Sequence, residues 1–304
     1  MLPYFVFDHF NIGPLRFYTW GLFVGLAFSA GYLFVLYRAR AKNIEISKII
    51  GLTLAIFFGV AIGSRLLFLL QEPQKFLADV SSLWRIEQGG LMLWGGLLGG
   101  ILGAWIYIRL YFSKLPPLLN KERVGVRYSF WTFADLLTPA VALGIGIGRI
   151  GCFLINDHLG VSTNLPWGIL WPDGISRHPV ALYESLAGFG LFFIFWFLQK
   201  KLNQRAPQLR GALDTNSVIP AAEPGSRILD SRFRGNDNAG VLFLLFLVAY
   251  AIFRFLLDFL RVSQGILADP RWWSLTSSQW ISILILSVAI LFIFVRRDPE
   301  TSLP

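Results

Sequence analysis

The sequence is poor in cysteine, histidine and charged residues. Among 304 residues there are one cysteine and three histidines, and only 15% of the chain is charged. Cys152 has no second cysteine with which to form a disulfide, and His9, His158 and His178 are too far apart in sequence for metal-ligand spacing. We therefore expect no disulfide within the chain, no metal site and no cofactor.

Apolar residues are correspondingly abundant. Hydrophobic residues make up 55% of the chain and aromatic residues 16%, and the mean hydropathy is +0.59. A helix that crosses a bilayer needs about 20 apolar residues. Several such helices would occupy about half of this chain, which leaves no room for a large soluble catalytic domain.

Seven apolar runs are long enough to cross a membrane, and we number them helices one to seven. They cover residues 17–37, 48–70, 91–112, 129–154, 181–199, 240–262 and 279–295. The sequence thus predicts an all-α integral membrane protein with seven transmembrane helices and a single membrane-embedded domain over residues 1–304. A small polar segment is expected between helices four and five.

Basic residues are concentrated on one side of this predicted arrangement. Of the 27 Lys and Arg residues, 18 fall in alternate loops, at 38–48, 109–127, 200–234 and after 295. By the positive-inside rule these loops and the C-terminus are cytoplasmic, so the N-terminus and the polar segment face outward. The same distribution accounts for the net charge of +9 without a nucleic-acid partner.

One predicted cytoplasmic loop has an unusual composition. Residues 203–239 are rich in Pro, Gly, Ser, Asn and Arg and contain few apolar residues. Such a segment cannot bury enough surface to offset the loss of chain entropy. We therefore expect a disordered cytoplasmic insertion within the membrane domain.

Glycines recur every four residues in two of the apolar runs. They are Gly95, Gly99 and Gly103 in helix three, and Gly144 and Gly148 in helix four. Small residues at this spacing allow two helix backbones to approach closely. Helix packing is therefore favoured over contact with a ligand, and neither stretch follows a strand as a phosphate-binding loop would.

Several arginines lie inside predicted spans, where a charge is costly, and three of them are far from the cytoplasmic ends. Arg65, Arg149 and Arg254 are in helices two, four and six, and the helical rise per residue places them at a similar height in the outer half. An arginine at the centre of a span costs at least about 2.5 kcal/mol, so it normally faces a partner, a cavity or a ligand. Guanidinium groups bind two phosphate oxygens at once, which favours a phospholipid head group as the ligand.

Helix six offers a simpler explanation for its own arginine. At spacings of four, four and three residues, one face of this helix carries Tyr250, Arg254, Asp258 and Arg261. Arg254 can therefore pair with Asp258, or with Asp135 of helix four, and only hold helices together. Arg261 lies near the interface, where its charged end can extend to water.

The polar segment and the start of helix five carry several groups able to bind a ligand. They are Asn156, Asp157, His158, Arg177, His178, Tyr183 and Glu184, beside Pro and Gly turns. At two of these positions structural roles are equally open. His178 can cap the start of helix five, and Glu184 suits the helix dipole in the first turn.

Eight short motifs occur in order along the predicted helices. They are GPLRFYTWGLFVG at 13–25, GSRLLFLL at 63–70, QGGLMLWGGLLGG at 88–100, DLLTPA at 135–140, GRIGCFLINDHLG at 148–160, LPWGI at 165–169, RHPVALYES at 177–185 and RFLLDFLR at 254–261. In this order they resemble the prolipoprotein diacylglyceryl transferase family of bacterial inner-membrane enzymes. The resemblance covers nearly the whole chain outside 203–239.

The resemblance implies a reaction and its partners. Members transfer the diacylglyceryl group of phosphatidylglycerol to the lipobox cysteine thiol of a prolipoprotein, which forms a thioether and releases glycerol phosphate. The partners are thus phosphatidylglycerol, other membrane lipids and the prolipoprotein signal peptide, and the polar segment is expected in the periplasm. A lipid or small-anion transporter or flippase that uses the same arginines is the alternative.

The resemblance also implies site residues. Arg149 and Arg254 match the family's two essential arginines, Asp157 and Asp258 match acidic positions, and these four residues are expected to be catalytic. Substrate-binding positions are expected at Tyr250, Arg261, Arg65, Trp94, Gly95, Gly96, Asn156, Gly160 and His178. The acceptor of the thiol proton stays open between Asp157, Asp258 and the departing phosphate.

Four positions depart from the family pattern. Members commonly have histidine, asparagine, tyrosine and glutamine where this chain has Trp94, Cys152, Trp20 and Ala181. Because an indole N–H only donates, Trp94 cannot accept a proton. We nonetheless expect an active protein, with Trp94 either packed on a lipid chain near a head group or standing in the interfacial aromatic belt.

Overall fold

Most of the chain is described by a computed structural model, which covers residues 1–41, 44–71, 93–111, 130–216, 239–263 and 271–297, without the side chains of 71, 93, 94, 203–216 and 293–297. These residues form seven α-helices: α1 Thr19–Ala41, α2 Ile46–Gln71, α3 Leu93–Tyr111, α4 Phe130–Leu154, α5 Val180–Asn216, α6 Val241–Leu257 and α7 Ser277–Arg297. A 3-10 turn, Asp258–Leu260, continues α6.

Each helix coincides with one predicted apolar run, within a few residues at most ends. Five helices, α1, α2, α4, α5 and α6, are long and apolar enough to cross a membrane. The apolar parts described for α3 and α7, Gly95–Tyr111 and Ser277–Phe292, are shorter. The chain is thus a helical integral membrane protein, as predicted, and the crossing of all seven helices stays a prediction.

α5 continues beyond its predicted end. It extends to Asn216, whereas composition predicts disorder from residue 203 onward. The helix is therefore longer than the apolar run that predicts it, and the disordered insertion over 203–239 stays a prediction. Once a helix has formed, each further residue is added at little cost, because a new hydrogen bond offsets its ordering. The rest of the predicted insertion, up to 238, lies outside the described residues.

Contacts within the chain define two compact units. The larger comprises residues 1–34 and 135–304, and the smaller comprises residues 35–134. The smaller unit contains α2 and α3, and the larger contains α5, α6, α7 and most of α1 and α4.

In the smaller unit, α2 and α3 meet backbone to backbone at glycines. A side chain at Gly99 would overlap the carbonyl of Gly59, and one at Gly95 would overlap the carbonyl of Gly63. A side chain at Gly103 would overlap a further carbonyl of α2. The predicted close packing of helix three is therefore confirmed.

In the larger unit, the close approach of α4 falls on a different glycine. A side chain at Gly188 of α5 would lie only 2.5 Å from the backbone nitrogen of Gly146. Side chains at Gly144 and Gly148 would make only ordinary contacts with Ala27. The prediction of close packing at these two positions is wrong, because α5 approaches α4 at Gly146, between them.

Asp135 of α4 caps the start of α6. Its carboxylate accepts hydrogen bonds from the backbone N–H groups of Gly240, at 2.7 Å, and Phe243, at 2.9 Å. These are N–H groups that a helix leaves without a partner in its own first turn, and the helix dipole favours a negative charge there. The side chain of Gln199 in α5 donates a hydrogen bond to the backbone carbonyl of Asp135 at 2.8 Å, so α5 is joined to α4 and α6 at this end.

Short strands, which the sequence did not predict, organise the opposite end of the larger unit. They are β1 Leu2–Pro3, β2 His9–Ile12, β3 Leu15–Tyr18, β4 Ile169–Leu170, β5 Ser176–Arg177, β6 Arg271–Trp272 and β7 Leu275–Thr276. β1 pairs in parallel with β4, which pairs antiparallel with β5, while β2–β3 and β6–β7 are antiparallel pairs. We call residues 155–179, between α4 and α5, the cap segment.

Candidate active site

Glu184 lies at the centre of a buried group of arginines in the larger unit. It stands in the second turn of α5, and its side chain is 4% exposed. Its Oε1 accepts hydrogen bonds from Arg254 Nη1 and, at 3.0 Å, from Arg261 Nη2. Its Oε2 lies 2.6 Å from Arg149 Nε. Of the three arginines predicted at a similar height, Arg149 and Arg254 meet here and form an arginine cluster together with Arg261, while Arg65 belongs to the smaller unit and its convergence stays a prediction.

Asp258 is the second carboxylate of the arginine cluster. It is fully buried, with Oδ1 2.6 Å from Arg254 Nη1 and 3.2 Å from Arg261 Nε. The pairing of Arg254 with Asp258 that the helix spacing predicts is confirmed. Arg261 is only 4% exposed, so the prediction that it extends to water is wrong, because two carboxylates hold it inside.

Thr276 joins the arginine cluster to the start of α7. Its hydroxyl donates a hydrogen bond to Asp258 Oδ2. Its backbone N–H donates to Gln279 Oε1 at 2.9 Å, and the Gln279 N–H donates to the Thr276 hydroxyl at 3.2 Å. This reciprocal pair is a capping box. Ser278, in the same turn, accepts a hydrogen bond from Arg254 Nη2 at 2.9 Å.

Thr276, Ser278 and Gln279 are not among the site residues predicted from the sequence. A recognisable signal exists, because threonine followed three residues later by glutamine, just before an apolar run, is the pattern of a capping box. The pattern marks the start of α7 but carries no information about the bond to Asp258.

Arg149 is the most exposed arginine of the cluster. Its side chain is 23% exposed, against 10% for Arg254 and 4% for Arg261. Nε faces Glu184, and Nη1 lies 3.8 Å from the sulfur of Cys152. Among the described residues Nη2 has no hydrogen-bond partner, so Arg149 presents open N–H donors to a ligand.

Backbone pairing holds the cap segment against the arginine cluster. Hydrogen bonds of 2.8 and 3.0 Å join it to the chain after α6, on either side of Arg261. Gly160 lies opposite Arg261 in this pairing, and a side chain at Gly160 would overlap the carbonyl of His178. Gly160, a predicted substrate-binding position, thus permits the close approach of three chain segments.

A small cavity lies at the junction of α4, the cap segment and α5. It has room for about one water molecule, and it is lined by Cys152, Phe153, Asn156, Asp157, His158, Ile169, Trp171, His178, Pro179, Val180 and Ala181. Three predicted site residues, Asn156, Asp157 and His178, therefore meet at one place beside the arginine cluster.

Asn156 has a structural role at this junction. Its backbone φ is +50°, in the left-handed region that asparagine adopts more readily than most residues. Its side-chain amide donates a hydrogen bond to the carbonyl of Phe5. Asn156 therefore turns the chain at the end of α4 and fastens the N-terminal segment there.

Asp157 lies outside the arginine cluster and beside His158. The Asp157 side chain is 43% exposed, and its Oδ2 lies 3.3 Å from His158 Nε2. Burial, and then the positive charges of Arg261 and Arg149, lower the pKa of His158, while Asp157 acts in the opposite direction. These effects together favour the neutral imidazole of His158.

His178 is engaged by the first turn of α5. Its Nδ1 lies 3.0 Å from the Tyr183 hydroxyl, which accepts a hydrogen bond from Trp167 Nε1 at 2.8 Å. Burial lowers the pKa of His178 below its ordinary value. These contacts fasten His178 to the start of α5, and its substrate-binding role stays a prediction.

The other predicted substrate-binding residues have local partners. In the larger unit, Tyr250 stacks on Phe246, with ring centroids 6.0 Å apart. In the smaller unit, the Arg65 guanidinium lies over the ring of Phe68, and Gly95 and Gly96 lie at the contact of α3 with α2. Trp94 belongs to α3, and its side chain lies outside the described residues.

The arginine cluster carries an excess of positive charge. Three guanidinium groups face the two carboxylates of Glu184 and Asp258, which leaves one positive charge without a carboxylate within the cluster. In an interior of low dielectric, such a charge attracts an anion more strongly than it would in water. A phosphate diester, with one negative charge and several acceptor oxygens, suits the open N–H donors of Arg149.

Comparison with known proteins agrees with this chemistry. A family model described as prolipoprotein diacylglyceryl transferase matches residues 8–214 and 227–295. The phosphatidylglycerol–prolipoprotein diacylglyceryl transferase of Bordetella bronchiseptica is 30% identical over 302 residues, 95% of each chain. Proteins of the same name from Solidesulfovibrio magneticus and Actinobacillus pleuropneumoniae are 29% and 31% identical, over 95% and 83% of this chain and 94% and 79% of theirs. This chain therefore belongs to the prolipoprotein diacylglyceryl transferase family.

Proposed function

We infer that this chain transfers the diacylglyceryl group of phosphatidylglycerol to the lipobox cysteine thiol of a prolipoprotein, in lipoprotein maturation. Its relatives carry the name of that activity over nearly their whole length. The observation that connects the activity to this chain's own residues is the open donor edge of Arg149 in a cluster with excess positive charge. That edge suits the phosphate from which the diacylglyceryl group departs.

The reaction requires stabilisation of charge on the leaving group. The thiol sulfur forms a bond to the glyceryl carbon, and the bond from that carbon to the phosphate oxygen breaks with its electron pair. The released glycerol phosphate gains negative charge, which preorganised donors in a water-poor site stabilise. We propose that Arg149 contacts this phosphate.

Arg254 and Arg261 contribute positive charge, but carboxylates of the cluster already bind their guanidinium groups. Arg254 uses Nη1 for two carboxylates and Nη2 for Ser278. We therefore propose that these two arginines stabilise the negative charge of the phosphate electrostatically, without contacting it as Arg149 does. Asp258, buried and bonded to Thr276, positions them and is not the proton acceptor.

The remaining predicted substrate contacts complete this proposal. Tyr250 stands on α6, one turn before Arg254, and suits a position along the lipid path. Arg65, Trp94, Gly95 and Gly96 belong to the smaller unit, and we propose that their helices α2 and α3 contact the substrates. Asn156, Gly160 and His178 shape the cap segment around the acceptor.

We further propose the arrangement in the membrane. All seven helices cross a bacterial inner membrane, the N-terminus and the cap segment lie in the periplasm, and the C-terminus lies in the cytoplasm. The distribution of Lys and Arg residues supports this orientation. It places the arginine cluster in the outer half, where a secreted prolipoprotein and phosphatidylglycerol can both reach it.

A transporter or flippase is not favoured. Intramembrane arginines also line transport paths, but the relatives of this chain are named as transferases. A transporter would move phosphatidylglycerol without consuming it, so the fate of the lipid separates the two functions.

The test is an assay with purified protein, phosphatidylglycerol and a lipobox peptide, in which mass spectrometry detects the diacylglyceryl group on the cysteine. Wild type should modify the peptide, and Arg149→Lys should lose at least about 100-fold in rate, because lysine keeps the charge but not the two-pronged geometry. Arg40→Lys, at the exposed end of α1, is the matched control and should transfer normally. Absence of transfer by wild type would contradict the function, and near-normal turnover by Arg149→Lys would contradict the role of Arg149.

A further inference from the structure

The acceptor thiol must lose a proton, and the cavity beside the arginine cluster is lined by two histidines. His158 and His178 both line it, together with Asp157. A thiol has an ordinary pKa of about 8.5, a histidine of about 6.5 and a carboxylate of about 4, so the imidazole is the better-matched acceptor.

Hydrogen bonding distinguishes the two histidines. His178 Nδ1 lies 3.0 Å from the Tyr183 hydroxyl, which accepts a hydrogen bond from Trp167 Nε1. His178 thus has one ring nitrogen occupied by a local hydrogen bond that fastens it to the first turn of α5. Within the described residues, His158 Nδ1 has no hydrogen-bond partner.

The surroundings of His158 fit an acceptor role. The Asp157 carboxylate, 3.3 Å from Nε2, favours the tautomer with the hydrogen on Nε2, which leaves the lone pair on Nδ1. The charged groups that act on His158 from neighbouring elements are Arg149 of α4, Glu184 of α5 and Arg261 after α6. Burial, and then the two arginines, lower the pKa of the imidazole and so favour its neutral form, and the side chain is 25% exposed.

We propose that His158 accepts the proton of the acceptor thiol, with Asp157 holding the imidazole in the receptive tautomer. This proposal rests on the proposed function. The thiol S–H proton passes to Nδ1, and the thiolate attacks the glyceryl carbon while the carbon–oxygen bond breaks toward the phosphate. The imidazolium then returns its proton to the released glycerol phosphate.

The experiment compares two acceptor peptides, one with cysteine and one with selenocysteine at the lipobox position. A selenol is already ionised at neutral pH and needs no base. With the cysteine peptide, His158→Gln should lose about 100-fold or more in rate, as expected for removal of a general base. With the selenocysteine peptide, its rate should lie within about 10-fold of that of wild type. That recovery can come only from folded protein.

Three variants separate this role from a structural one. His178→Gln should weaken transfer to both peptides equally, because it loosens the start of α5. His9→Gln is the matched control, since His9 also stands beside an aspartate, 2.8 Å from Asp8, but outside the cavity, and it should behave as wild type. Asp157→Asn, which keeps His158, should lose about 10-fold with the cysteine peptide alone, a loss in the range of other groups that orient a catalytic residue.

The rate with the cysteine peptide should also fall at acid pH as His158 becomes protonated, with a midpoint below the ordinary histidine pKa. His158→Gln should remove this limb of the pH profile. Equal loss with both peptides, or turnover by His158→Gln near that of wild type, would overturn the proposal. If wild type transferred to neither peptide, the proposed function itself would be the part that fails.

Discussion

Glu184 balances the charge of the arginine cluster. It is the carboxylate shared by Arg149, Arg254 and Arg261, while Asp258 pairs with only two of them. Without Glu184, three guanidinium groups would face a single carboxylate in a buried site. Removal of one partner from a buried ion pair commonly costs about 3–5 kcal/mol, because the remaining charge loses its compensation.

We therefore expect Glu184→Gln to unfold at a temperature about 10 °C below wild type, as followed by thermal denaturation of the detergent-solubilised protein. It should also lose most transfer, because the open edge of Arg149 is no longer held in place. Glu45→Gln, at a carboxylate 64% exposed, is the control and should leave both quantities unchanged. An unfolding temperature equal to that of wild type would show that Glu184 does not hold the cluster together.

At the scale of single residues, the sequence indicates which arginines have a special role better than it indicates which residues they pair with. Arg149 and Arg254 stand out because an arginine in an apolar run is costly and therefore needs a reason. Glu184 stands at the edge of an apolar run, where the helix dipole alone explains a carboxylate. Its partners lie on α4 and α6, and the packing of three helices, which no local pattern encodes, brings them together.

At the scale of elements, the start of α7 is part of the site. The hydroxyl of Thr276 accepts from Gln279 in the capping box and donates to Asp258, so one side chain both begins a helix and orients a carboxylate. Loss of a helix cap costs about 1 kcal/mol. A buried carboxylate oxygen without its donor adds a further cost of about 1–3 kcal/mol.

Thr276→Val, which keeps the shape of the side chain and removes the hydroxyl, should lower stability by about 2–4 kcal/mol and slow transfer. Thr276→Ser keeps the hydroxyl and should retain most of both. Thr53→Val is the matched control, because the Thr53 hydroxyl bonds only within its own helix, to Ile49 at 2.9 Å. Denaturation and the peptide assay measure the two effects, and equal behaviour of the serine and valine variants would argue against the hydroxyl.

Helices were predictable because hydropathy over about 20 residues is a strong signal. Strands of two to four residues, such as β4 and β5, are too short to produce an alternating pattern, and their pairing depends on where the helices bring the chain. The close approach at Gly146 was missed for a related reason. The four-residue spacing marks Gly144 and Gly148, but the choice of contacting face depends on the partner helix.

At the scale of the whole molecule, exposed apolar side chains indicate that the helices are surrounded by lipid. Leu66, Phe57 and Leu284 are among many large apolar side chains more than half exposed along the helices. In water such surfaces would drive association, whereas in a bilayer they contact lipid tails at no cost. The buried residues of the larger unit, in contrast, include the carboxylates and arginines of the site, which the lipid could not solvate.

The orientation of this molecule can be tested across a single helix. The span Val180–Leu202 of α5 begins directly after the cap segment and contains Lys201 in its last turn, and at about 1.5 Å per residue it is long enough to cross the hydrocarbon core of about 30 Å. Asn164→Cys should react with a membrane-impermeant maleimide in intact spheroplasts, because the proposed orientation has the cap segment outside. Lys201→Cys should react only after permeabilisation, and the unaltered chain should not react, because its single cysteine is buried. The opposite pattern would reverse the topology and would place the arginine cluster on the cytoplasmic side, away from a secreted acceptor.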